Sequence, residues 1–376
     1  MCIFGTRPEA IKMCPLIKEL QRHSEIETRV CLTGQHREML QSVMDIFDVH
    51  SDYNLDIMRR NNQTLSTITI DILEKIEDIL IQDKPDIVLV HGDTTTSFVS
   101  ALAAFYQKIP VGHIEAGLRT HNKYSPYPEE MNRCLTGKIA DLHFAPTIGN
   151  KMNLLRENIT KNVFVTGNTV IDAFKYTFKN DYVFNCDELN IVDYEKFKVI
   201  LVTAHRRENF GQPLINICNA IMRIVLSFEN VLIIYPVHPN PVVRETVFSH
   251  LSHIERVFLI DPLDVSDMHN LMARSYLVLT DSGGLQEEAP ACGTPVLVMR
   301  TETERPEAVE AGTAKVVGID EDAIFENVGL LLMNNSEYDK MAKAINPYGD
   351  GNASMRIVQI LLDWFANQFS VTDDKI

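Results

Sequence analysis

Three acids occupy positions from which a carboxylate could move a proton: Asp93 in HGDT, Glu115 in HIEAGLR and Glu129 in YPEEMNR. Asp93 follows the apolar run 87–90 and Glu115 follows 111–114, so both are expected at one sheet edge, where paired carboxylates suit general acid–base chemistry. Each acid also has a plainer reading: a helix N-cap for Asp93, a salt bridge to Arg119 for Glu115, and a first-turn dipole partner for Glu129. Their recurrence at predicted element ends favours a site.

A second group has the chemistry of an anion clamp. The turn Thr280-Asp281-Ser282-Gly283-Gly284 follows a β-rich run and opens a helix. Its two glycines let backbone amides approach a ligand, Ser282 is placed to cap, and the helix dipole favours a diphosphate. Glu288, further along that helix, could accept hydrogen bonds from ribose hydroxyls. His205 in AHRREN and His238 in PVHPN each follow a strand; a histidine with adjacent arginines can bind or protonate phosphate. The first loop, Gly5-Thr6-Arg7-Pro8-Glu9, reads as another phosphate end, with Pro8 suited to the first helical position and Thr6 or Arg7 near exposed amides, or else as an ordinary βα turn. It is neither a Walker loop nor a GxGxxG fingerprint, which removes support for ATP and NAD(P) folds of those kinds.

Composition narrows the partners. A net charge of −16 argues against nucleic acid or an anionic membrane, both of which demand a basic face. With 45% hydrophobic and 23% charged residues, the chain reads as soluble and globular. No apolar run approaches a bilayer span and the N-terminus lacks a signal pattern, so cytoplasm is expected. Seven scattered cysteines without a CxxC pair read as buried thiols; twelve histidines without HExxH indicate no metal site.

The elements that must position these residues repeat as a short β-branched run followed by an amphipathic helical stretch, the pattern of doubly wound parallel sheets in an α/β protein. Strands are expected at 1–4, 28–33, 86–91, 111–114, 142–145 and 163–166, and helices at 8–22, 64–82 and 95–107. A stretch rich in Asn, Asp and Tyr after Thr177 interrupts the alternation, which restarts with strands at 199–203, 231–235, 257–260, 277–280, 296–298 and 314–317. Two Rossmann-like domains, 1–177 and 178–352, are therefore expected to face each other across a ligand-binding cleft. A final helix, 353–369, carries a broad apolar stripe and must pack on something.

The strings GTRPEAIK, GQHREML, HGDTTT, HIEAGLRT, YSPYPEEMNR, GNTVIDA, AHRREN, DSGGLQEEAP and TERPEA, in this order from Gly5 towards the C-terminal helix, resemble the non-hydrolysing UDP-N-acetylglucosamine 2-epimerase family. The resemblance implies a glycosyltransferase-B-like architecture, the final helix returning to the first domain, a homodimer and no cofactor. It implies that Asp93, Glu115, Glu129 and His205 are catalytic. UDP would be contacted by Ser282, Gly283, Gly284, Glu288 and His205, with Arg7 and Lys12 reaching substrate from the first domain.

The implied reaction interconverts UDP-GlcNAc and UDP-ManNAc. Elimination of UDP across C1 and C2 gives a 2-acetamidoglucal, and re-addition gives the epimer, supplying cell-surface polysaccharide synthesis. A base and an acid must act on opposite faces of C2; the residues leave open which acid serves which face. Gln35, His36, Arg206 and His238 match positions at which relatives bind UDP-GlcNAc as an allosteric activator, whereas Glu38 and Asn62 depart from that pattern. A hydrolysing epimerase shares the fold, a UDP-sugar glycosyltransferase shares the ligand, and a catalytically silent nucleotide-sugar binder lacks a reason to keep the acids. The run Pro8-Glu9-Ala10-Ile11-Lys12 favours the non-hydrolysing branch.

Overall fold

A computed structural model describes residues 1–34, 37–57 and 63–372. Contacts divide the chain into two compact units, one of residues 1–176 with 348–376 and the other of residues 177–347. Both are α/β units built on wholly parallel sheets.

The first sheet contains β1 (Cys2–Phe4), β2 (Val30–Leu32), β3 (Tyr53–Asn54), β4 (Val88–His91), β5 (Val111–Ile114), β6 (Leu142–Ala145) and β7 (Val163–Val165), in the order β3-β2-β1-β4-β5-β6-β7. The second contains β8 (Lys198–Thr203), β9 (Val231–Pro236), β10 (Val257–Ile260), β11 (Leu277–Thr280), β12 (Val296–Val298) and β13 (Ala314–Val316), in the order β10-β9-β8-β11-β12-β13. Each order reverses direction once, between β1 and β4 and between β8 and β11. Such a switch point splays the following loops apart and leaves a crevice at the strand C-termini. Short apolar strands suffice because helices cover both faces; every residue of β4, β5, β6, β9 and β11 is buried.

The helices begin where side chains can satisfy the first amides. Thr64 and Thr67 form a reciprocal cap before helix Leu65–Asp83, and Thr94 accepts from the Ser97 amide before Thr95–Tyr106. The C-terminal helix Ala353–Thr372 belongs to the first unit and packs on helix Arg7–Leu20. Its first turn is capped by Asp172, whose carboxylate accepts from the Ala353 and Ser354 amides at 3.1 and 2.8 Å.

Four cysteines, Cys2, Cys14, Cys31 and Cys218, are buried, whereas Cys134, Cys186 and Cys292 are partly exposed, so the expectation of seven buried thiols is corrected. Among the described residues no helix is long and apolar enough to cross a membrane.

Gly117 shows how tightly the loop after β5 is held. Its φ is +90°, and an added Cβ would lie 2.2 Å from the Asn150 carbonyl oxygen. Gly117→Ala combines a backbone conformation unfavourable to L-residues with a clash against immobile backbone, and is expected to cost about 3 kcal/mol. A fall in the urea midpoint of the variant checks this; an unchanged midpoint would contradict the packing described.

Candidate active site

In the first unit, β4 and β5 are adjacent and parallel, with His91 opposite Ile114, so the loops beginning at Gly92 and Glu115 leave the same sheet edge side by side. They touch: a Cβ on Gly92 would sit 3.2 Å from Glu115 Oε2. Glu115 adopts φ +62°, an uncommon conformation for a glutamate, which turns the chain directly out of β5. Its Oε1 is ion-paired with the Lys12 ammonium and accepts from Asn168 Nδ2 at 3.2 Å.

Asp93 is ion-paired with Arg133, while its carbonyl accepts from Asn132 Nδ2 at 2.9 Å. Burial lifts its pKa to about 6. The Arg133 charge opposes that rise, and repulsion from Glu115 and Glu129 adds to it. The three acids therefore form one electrostatic group. Glu129 opens helix Glu129–Ile139 and is half-buried, while its neighbour Glu130 is turned inward. Glu130 accepts from the amides of Thr120 and His121 at 2.9 to 3.1 Å and lies 3.3 Å from Arg133, fixing the loop that follows Glu115.

In the second unit, Asp281 organises the switch point. It is fully buried after β11, and its Oδ2 accepts from the amides of His205 and Arg206, both at 2.8 Å, and from Asn209 Nδ2 at 3.0 Å. The loop after β8 is thus folded around one carboxylate. Its Oδ1 lies 3.6 Å from His205 Nδ1. The His205 ring stacks on His238 with centroids 5.1 Å apart and 12° between planes. Burial depresses the His205 pKa, with Asp281 opposing and with His238 and Arg206 reinforcing, which favours a neutral imidazole.

Gly283 and Gly284 open the short helix Gly283–Glu288, with the Arg206 and Arg305 guanidiniums 3.8 and 3.7 Å from where a Gly283 Cβ would stand. Two cations beside a glycine turn at a helix start form a surface suited to a diphosphate. Arg305 is ion-paired with Glu287, and Arg206 lies 3.8 Å from Glu304.

Comparison with known proteins bears on both halves. The family model described as UDP-N-acetylglucosamine 2-epimerase matches residues 18–362. The chain belongs to the UDP-N-acetylglucosamine 2-epimerase family. Among its relatives, the UDP-N-acetylglucosamine 2-epimerase of Bacillus subtilis is 56% identical over 363 residues, 96% of this chain and 94% of that one. The solved UDP-GlcNAc 2-epimerase of Neisseria meningitidis, bound to UDP-GlcNAc, is 50% identical with a TM-score of 0.88, covering 96% of this chain and 99% of that one. A kitacinnamycin glycotransferase, 11% identical with a TM-score of 0.66 over 96% of this chain and 97% of that one, shares the fold alone.

Against the sequence reading of this epimerase-family chain, the structure brings Asp93, Glu115 and Lys12 together, with Glu129 close enough to act on Asp93. It also gathers His205, Arg206, His238, Gly283 and Gly284 in the second unit. Several details are corrected. The N-cap beside Asp93 is Thr94, and Arg119 pairs with Glu157 rather than Glu115. Ser282 stands at the N-cap position without a side-chain cap bond. Glu288 Oε2 already lies 3.1 Å from His269 Nε2.

The first loop is not an open phosphate end. Glu9 Oε2 already accepts from the Gly5 and Thr6 amides at 3.0 and 2.8 Å, closing a capping box in which Arg7 is the first helical residue. Gln35, His36 and Asn62, and the side chain of Glu38, lie outside the described residues. Sequence reasoning assigned no role to Arg133, Asp281, Asn168 and Arg305, whose partners include residues 18 to 76 positions away in the chain. TERPEA contained Arg305 as a visible signal.

Proposed function

We propose that this protein interconverts UDP-N-acetylglucosamine and UDP-N-acetylmannosamine by inverting C2, without releasing free sugar. The observation that carries the reading is the meeting of Asp93, paired with Arg133, and Glu115, paired with Lys12, at the C-terminal edge of β4 and β5, with Glu129 close enough to act on Asp93. The relative solved with UDP-GlcNAc supports the substrate class.

The chemistry requires such a group. No carbonyl adjoins C2, so its proton is hardly acidic, and removal must be coupled to departure of UDP. One carboxylate takes the C2 proton, the C–H electrons form the C1=C2 double bond, and the C1–O pair leaves with UDP. A second carboxylic acid returns a proton to the opposite face of the 2-acetamidoglucal, and UDP re-adds at C1. Amides at Gly283 and Gly284 with Arg206, Arg305 and His205 stabilise the departing diphosphate, and Arg7 and Glu288 contribute to holding the nucleotide.

Arg206, set beside the glycine turn, and His238, stacked on His205, would also meet a UDP-GlcNAc activator. A homodimer would cover the apolar side chains Ile70, Ile81, Phe105 and Tyr106 on helices Leu65–Asp83 and Thr95–Tyr106, each more than half exposed. A cytoplasmic enzyme feeding cell-surface polysaccharide synthesis fits this substrate.

Incubation with UDP-GlcNAc in deuterated water, read by proton NMR, tests the proposal. The expected result is loss of the C2 proton signal together with formation of UDP-ManNAc. Free N-acetylmannosamine with UDP would assign the hydrolysing reaction, and transfer only to an added acceptor would assign a glycosyltransferase.

A further inference from the structure

Two buried histidines brace the carboxylate loops in opposite directions. His113, on β5, reaches across to the loop of β4: its Nε2 lies 2.7 Å from the Gly92 carbonyl oxygen, which can only accept, so Nε2 carries the proton. His91, on β4, faces the loop of β5: its Nε2 lies 4.0 Å from Glu115 Oε2 and, among the described residues, has no hydrogen-bond partner, although the side chain is buried. A buried imidazole nitrogen without a partner is costly unless a ligand, water or moving group supplies one. A shift of about 1 Å by the carboxylate would complete the bond.

Burial also keeps both rings neutral. It holds His91 down to about 4 and His113 down to about 3, against opposing contributions from Glu115 and from the Gly92 carbonyl. Neither ring adds a positive charge to the site at neutral pH, where Lys12 and Arg133 are paired with the acids. What the histidines add is direction.

We propose that His91 and His113 are positioning residues for the reaction: His113 fixes the Gly92–Asp93 turn, and His91 fixes Glu115 once substrate draws the carboxylate inward. This rests on the reading of Asp93 and Glu115 as the proton-transfer groups. Neither histidine needs to touch the sugar. Misplacing a reacting group by about 1 Å can cost about a hundredfold in rate, which sets the scale of the effect.

The test compares His91→Leu and His113→Leu, which remove the N–H, with His91→Gln and His113→Gln, which restore one near the Nε2 position. Each leucine variant is expected to lower kcat about a hundredfold with KM within about twofold, and each glutamine variant to recover most of that loss. Carboxyl carbon NMR gives a readout that needs no turnover. The Asp93 signal, assigned by its absence in Asp93→Asn, should change its titration midpoint by about half a pH unit or more in His113→Leu and return in His113→Gln.

Unchanged kcat in folded leucine variants would overturn the proposal, as would glutamine variants as impaired as leucine ones. If the leucine variants fail to fold, the glutamine variants decide: wild-type Asp93 titration and kcat support bracing, and loss of both contradicts it. If the wild-type protein exchanges no C2 proton, the functional reading fails while the titrations still judge the bracing.

Discussion

Asp93→Asn is expected to lower the rate of C2 proton exchange in UDP-GlcNAc by about a thousandfold, within the range contributed by a positioned acid or base. Asparagine keeps the size of the side chain and leaves the Asp93 carbonyl bond to Asn132 in place, so the fold should persist. The wild-type pH profile supplies the sign. With its pKa lifted to about 6, Asp93 is mainly ionised at pH 7 and gains a proton as pH falls through about 6, losing its ion pair with Arg133. Therefore kcat/KM should decline on the acid side with a midpoint near 6, and the break should vanish in Asp93→Asn. A rate that rises below pH 6 would instead make the protonated form of Asp93 the active one.

Asp281→Ala is expected to have the largest effect on the second unit. It removes the acceptor for the His205 and Arg206 amides and for Asn209 Nδ2, leaving these donors around a fully buried hole. Loss of a buried, hydrogen-bonded charge costs about 3 to 5 kcal/mol. Because the same loop carries His205 and presents Arg206 beside Gly283, UDP affinity should fall at least about tenfold, the equivalent of one lost charge-assisted hydrogen bond. Asp281→Asn retains one oxygen for the amides and should lose less of both. Chemical denaturation and UDP titration calorimetry measure the two effects; wild-type values for the alanine variant would contradict the organising role.

Much of the fold was legible because strand and helix periods are local properties. The expected strands at 111–114, 142–145, 257–260, 277–280 and 296–298 coincide with β5, β6, β10, β11 and β12. The two-residue edge strand β3 was not legible, since Tyr53 and Asn54 make no apolar run and are strand-like through their pairing with β2, to which the Tyr53 hydroxyl adds a bond to Asp83. The final helix was expected to end at 369 and continues to Thr372.

The site was half legible for the same reason. Acids and glycines that follow strands could be read from position, but their partners could not: Lys12 and Glu115 are 103 positions apart, and Arg206 is 75 from Asp281. Only the folded sheet puts them together. One further signal in the first loop is local. The spacing of Thr6 and Glu9 is a capping box, which consumes the amides a phosphate would need.

The most direct measurement is a crystal structure of the Asp93→Asn variant with UDP-GlcNAc bound. The account requires sugar C2 to lie within hydrogen-bonding reach, about 3 Å directly or one water further, of the position 93 side chain or the Glu115 or Glu129 carboxylate. A pyranose ring seated away from all three would contradict it.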